Sequence, residues 1–161
     1  RRFIWSDWDD EDCFRSSHAG ANQATGILRE QCPGNHFTFE SFACSGAGID
    51  RGLLGEYTGV KETSPVLPAQ IDLLEAWAKG RTIHALVISV GANELFLEGW
   101  VAACAACRND KRIDCNTGCQ KFHEVADELR KQLPSKFKAL HLELDKRKNT
   151  LKIEHVFMTE D

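Results

Sequence analysis

The chain has 161 residues, 42% of them hydrophobic and 27% charged, with a formal net charge of −4. A single domain of that size buries roughly 70% of its unfolded surface, enough for an ordinary core without staples. The charge balance gives no electrostatic reason to expect nucleic acid or an anionic membrane as partner, and no apolar run approaches the roughly 20 residues of a membrane span.

Taken in chain order, residues 1–16 read as an irregular, solvated acidic stretch, with Asp7, Asp9, Asp10, Glu11 and Asp12 around two tryptophans and no metal site among them. Ser17 to Arg29 has helical composition and is ended by Cys32-Pro33-Gly34-Asn35. His36 to Cys44 alternates Phe37, Phe39 and Ser41 with Thr38, Glu40 and Phe42, which predicts a strand closed by the small-residue turn Ser45-Gly46-Ala47-Gly48. A Gly-rich loop over 51–67 leads through Pro68 into a helix running to about Lys79, with Ile71, Leu73, Leu74, Trp77 and Ala78 as a broad apolar stripe.

Thr82 to Val90 is a short, nearly continuous β-branched run, expected for a parallel strand buried on both faces, with His84 a core residue inside it. Gly91-Ala92-Asn93-Glu94 closes that strand. Residues 95–106 continue as helix or turn, and 107–119 form a polar, cysteine-bounded loop. Cys119 to Lys148 reads as helical, with Phe122, Val125, Leu129 and Leu133 before a break or kink at Pro134, and Phe137, Leu140 and Leu144 on a second helix after it. The last strand is Leu151 to Met158. Apolar strands alternating with helices imply a parallel sheet covered on both faces, in which ligands bind beyond the carboxyl ends of the strands. The turns at Gly46 and Asn93 open toward that edge.

Seven cysteines need an account. Cys13, Cys32 and Cys44 lie in the first third; Cys104, Cys107, Cys115 and Cys119 form a second cluster. The second cluster has zinc-like spacing, yet Cys104 and Cys107 end an apolar stretch as a loop-closing disulfide would. Disulfides in an oxidising compartment are the reading preferred over zinc, and the odd count leaves one cysteine free or paired outside the chain. The chain starts at Arg1-Arg2 without an initiator methionine and stops at Asp161 just past an apolar run, which is expected of a piece of something longer.

Ala43-Cys44-Ser45-Gly46-Ala47 and Val87 to Leu95 together resemble two conserved blocks of the SGNH (GDSL-type) hydrolase family, in its secreted, disulfide-bonded branch of actinobacterial type. Cys13-Phe14-Arg15-Ser16 resembles that branch's Cys-His-Arg-Ser signature, and Pro65-x-x-Pro68-Ala69-Gln70-Ile71 its lead into the next helix. The resemblance covers residues 5 to 158 in order. It implies a single domain over 1–161 with a three-layer α/β/α sandwich on a parallel sheet (flavodoxin-like), incomplete at both ends. It implies hydrolysis of a small-molecule, lipid or carbohydrate ester through an acyl-enzyme, with no cofactor and no metal. Gly46 would supply a backbone N–H and Asn93 a side-chain amide to the oxyanion hole. It further implies the disulfides Cys13–Cys44 and Cys107–Cys115, with Cys104–Cys119 enclosing the latter and Cys32 left over.

This sequence departs from the family in four places. Glu94 stands where aspartate is usual, and Phe14 replaces the signature histidine. No Gly-Asp-Ser occurs, Trp5-Ser6-Asp7 being the nearest text, and no Asp-x-x-His occurs. Ser45 lacks the Gly-x-Ser-x-Gly elbow, and His18, His36, His123, His141 and His155 do not sit where the base is expected. Truncation explains this: the nucleophile and the Asp/His pair would lie in further segments of the same protein. The alternatives are a non-catalytic SGNH-like domain that binds carbohydrate or protein, and a zinc-stabilised interaction module.

Overall fold

The computed structural model describes residues 8–61, 63–95 and 115–159, with the backbone alone over 115–122, and four single positions between 99 and 105. The ordered elements are α1 (Gly20–Gln31), α2 (Gln70–Ala78), β1 (Thr82–Ser89), a 3₁₀ turn (Asn93–Leu95), α3 (Cys115–Lys146) and β2 (Lys152–Thr159). β1 and β2 pair in parallel, with Thr82 opposite Lys152 and Ser89 opposite Thr159. Parallel strands need a long crossover, and α3 supplies it. The protein is thus a mixed α/β chain with a two-stranded parallel sheet among the described residues.

α2 forms where the apolar stripe predicts it. The loop before it meets its first free amides, since Gln70 N–H donates to Gly52 O (2.8 Å) and Ile71 N–H to Leu53 O (3.2 Å). Lys79 in the left-handed conformation (φ 49°) ends it. Ile71, Leu74 and Ala78 then pack with Ala69, Ile83 and Leu151 in one core cluster. A second cluster joins Ile49, Ile88 and Leu140, with Phe137, Leu86 and Leu144 against it.

Several sequence expectations need correction. β1 is not buried on both faces: Ile83 and Ile88 are buried, whereas Val87 is 57% exposed and its partner Phe157 53% exposed. Alternate positions Ala85, Val87 and Ser89 are all exposed, so one face is uncovered beyond Ile83. His84 lies on the opposite face, with Leu86 and Ile88, and is exposed rather than a core residue. The segment His36 to Cys44 is not a ladder strand. It keeps the alternation, with Phe37, Phe39 and Ser41 half-buried and Thr38 and Glu40 exposed, but finds no strand partner among the described residues. A period-2 pattern sets which side chains face inward; a ladder also needs a neighbouring backbone.

Pro134 does not divide the second helical region. α3 runs unbroken through it and begins at Cys115, inside the segment expected to be loop. Pro134 is exposed, and a partly buried stripe of Leu129, Leu133, Phe137, buried Leu140 and Leu144 continues on both sides of it. Packing one continuous face holds the halves in line, and a solvent-facing proline leaves the unpaired carbonyl open to water. No helix among the described residues is long and apolar enough to cross a membrane.

Candidate functional site

Cys44 begins the turn that holds Gly46. Ala47 N–H donates to Cys44 O (3.1 Å), and Gly46 has φ +78°. A four-residue turn with that bond and a positive φ at its third residue is type II, the geometry that favours glycine there. Substitution is blocked twice, because a Cβ on Gly46 would also lie 2.6 Å from the Tyr57 hydroxyl oxygen. The Cys13–Cys44 disulfide expected from the resemblance is present, and Ser45 N–H donates to Cys13 O (3.0 Å) beside it. Tyr57 donates its hydroxyl to Ser45 O at 2.8 Å.

The five amides from Ser45 to Ile49 have unequal fates. Ser45 N–H goes to Cys13 O, Ala47 N–H to Cys44 O, Gly48 N–H to Arg51 O (2.7 Å) and Ile49 N–H to a Glu94 carboxylate oxygen. Gly46 N–H donates to no acceptor among the described residues.

The turn after β1 comes to meet this one. Asn93 donates from Nδ2 to Ala47 O at 2.8 Å, a contact across 46 positions of sequence. The next residue, Glu94, is 8% exposed and accepts from Ile49 N–H with Oε1. Its Oε2 is buried without a hydrogen-bond partner among the described residues. A Cβ on Gly48 would run into the same carboxylate, so Glu94 fits only because position 48 has no side chain. α3 closes the corner from below: Lys136 pairs with Asp50 (2.5 Å), and Phe137 stands 4.0 Å from where a Cβ on Gly91 would be.

Asn93 is therefore held against the turn that carries Gly46, at the carboxyl end of β1. Ser45 is exposed, and its side chain makes no hydrogen bond among the described residues. Ser16 and His18 touch at 3.4 Å, but His18 N–H also donates to Ser16 Oγ (3.1 Å), so this is a local turn ahead of α1. His18, His36, His84, His123, His141 and His155 are all exposed. Ser6, the Cys104–Cys119 and Cys107–Cys115 pairings and the zinc alternative lie outside the described side chains. Cys32 carries a free thiol.

Sequence reasoning missed Tyr57, which stood unremarked in a Gly-rich loop; that it is the only tyrosine in the chain was the one available signal. It also missed that the acidic segment is partly structural. Asp10 Oδ1 accepts from the amides of Asp12 (2.9 Å) and Cys13 (3.1 Å) and so shapes the approach to the disulfide, while Ser64 donates to Asp12 (2.8 Å). Phe14, next to the disulfide-bonded Cys13, stacks on Trp8 with centroids 5.0 Å apart. No protein-family model, curated protein or solved structure matches the chain.

Proposed function

We propose that this chain carries the oxyanion-binding half of a secreted serine ester hydrolase of the SGNH type. The observation that carries the reading is a pair of donors at one corner that have no acceptor among the described residues. Of five consecutive turn amides only Gly46 N–H is left without a described acceptor, and Asn93 uses one N–H of its amide on Ala47 O. An NH₂ group has two hydrogens, so the second of Asn93 has no acceptor among the described residues and can be offered to an oxyanion. Attack on an ester carbonyl creates an oxyanion, and donors fixed before the reaction lower its barrier without reorganising.

In this reading a serine hydroxyl attacks the carbonyl carbon, a histidine takes its proton, and the alcohol leaves with that proton. Water then cleaves the acyl-enzyme by the same path in reverse. Gly46 and Asn93 hold the oxyanion in both halves. The serine and histidine would come from segments of the protein outside these 161 residues. The uncovered sheet face, which a helix layer would cover, and the segment before Cys44, which has no strand partner among the described residues, favour a larger three-layer sandwich. The Cys13–Cys44 bond favours an oxidising compartment. The substrate class is a small-molecule, lipid or carbohydrate carboxylic ester.

A binding domain of the same fold is the second reading, favoured by the Ser45 hydroxyl having no base against it among the described residues. Fluorophosphonate labelling with peptide mapping separates the two. The hydrolase reading expects label on a serine outside this sequence, and Asn93→Ala to lower kcat about 10²–10³-fold with little change in KM. Absence of label, or an unchanged kcat, gives the site to binding.

A further inference from the structure

We infer that Tyr57 is the positioning residue that sets which way the Gly46 N–H points. The amide in question belongs to the peptide unit Ser45–Gly46, whose carbonyl is Ser45 O. A trans peptide is planar, and its C=O and N–H point in opposite directions. Whatever holds the carbonyl therefore aims the N–H. Tyr57 holds it, with its hydroxyl donating to Ser45 O at 2.8 Å.

That peptide is also the one a change of turn type would flip. Turn types I and II share their outer residues and differ by a flip of the central peptide, about 150° in ψ of the second residue and 170° in φ of the third. Gly46, at φ +78°, is on the type II side, and glycine pays no steric penalty on either. The neighbouring contacts do not choose between them. Ser45 N–H on Cys13 O and Ala47 N–H on Cys44 O lie outside the central peptide, so both survive a flip, as does the disulfide. Asn93 on Ala47 O and Glu94 on Ile49 N–H hold later units of the chain. Among the described contacts only the Tyr57 hydroxyl grips the unit that turns.

Tyr57 is itself fixed from outside the turn. Its backbone pairs with Leu67, N–H to O at 3.0 Å one way and 2.7 Å the other, which ties it to the approach to α2. The direction of the Gly46 N–H is thus transmitted from the 57–67 bridge through one phenol. Its consequence for catalysis rests on the ester-hydrolase reading; the orientation itself does not.

The test is Tyr57→Phe, which keeps the ring and removes only the hydroxyl. Residual dipolar couplings of backbone N–H vectors are measured on the oxidised 161-residue chain and its variant, with the alignment fitted to α2, α3 and β1. In the unmodified chain the Gly46 coupling should fit the type II orientation. In Tyr57→Phe it should leave that value, averaging toward type I, while the couplings of Ala47, Gly48 and the helices stay. An unchanged Gly46 coupling in the variant overturns the inference. So does a type I value with Tyr57 intact, a measurement that stands even where the variant does not fold. In protein that labels with fluorophosphonate, the variant should lose about tenfold or more in kcat at unchanged KM. If nothing labels, the hydrolase reading falls and the Gly46 coupling still decides the role of Tyr57.

Discussion

Glu94 and Gly48 show how much of the site rests on one missing methyl group. The carboxylate reaches Ile49 N–H through the space a side chain at 48 would fill. One of its oxygens is buried without a described partner, a state that costs free energy unless a water meets it. Gly48→Ala should therefore destabilise the fold by about 1–3 kcal/mol, the usual range for overpacking, in a denaturant titration. Glu94→Asp added to that variant should recover part of the loss, because the shorter side chain withdraws from the new Cβ. Additive losses in the double variant would show that the two residues do not meet.

At the scale of elements, Arg147 is the bolt between α2 and α3. Its guanidinium pairs with Asp72 (2.6 Å) and Glu75 (2.7 Å) of α2 and with Glu143 (2.9 Å) of α3. Burial works against its charge, but the bonds to Glu143, Asp72 and Glu75 outweigh that and raise its pKa. Glu143 is held below the usual 4.5, first by Arg147 and then by Lys146; Glu75 is lowered too, first by Thr150 and then, against burial, by Arg147. Carboxylates lowered on folding contribute stability in full above pH 4.5 and lose it as pH falls through their folded values. Thermal melts between pH 6 and pH 3 should show that acid loss, and Arg147→Leu should flatten it. Both carboxylates are only partly buried, so added salt should shrink the difference. An identical acid slope in the variant would remove Arg147 from the account.

For the whole molecule, the Cys13–Cys44 bond is the covalent link, among several hydrogen bonds, that holds the N-terminal segment to the site. It closes a loop with a sequence separation of 31, worth about 3–4 kcal/mol in the chain-entropy picture. The closed loop contains α1, whose Ile27 (53% exposed) and Leu28 (45% exposed) are poorly covered, so it has little packing of its own to fall back on. Cys13→Ser with Cys44→Ser should lower the unfolding free energy by that amount, and amide exchange should rise first across 13–45. A loss spread evenly over α3 and β2 would mean the bond acts on the fold as a unit instead.

Local signals were enough for much of this. The apolar stripe of α2, the β-branched run of β1, the last strand and the two small-residue turns could all be read from residue order, because period and turn chemistry are properties of neighbours in sequence. The joining of Gly46 and Asn93 was legible only as a resemblance between separated motifs. Tertiary packing decided the rest. It carried α3 through Pro134, since a continuous, partly buried stripe outweighs one exposed proline, and it left His84 exposed at the start of the face on which Leu86 and Ile88 are covered. It also decided which of five adjacent amides stays unpaired. That choice depends on Cys13, Tyr57 and Glu94 arriving from elsewhere in the chain, and no local pattern in Ser45 to Ile49 encodes their arrival.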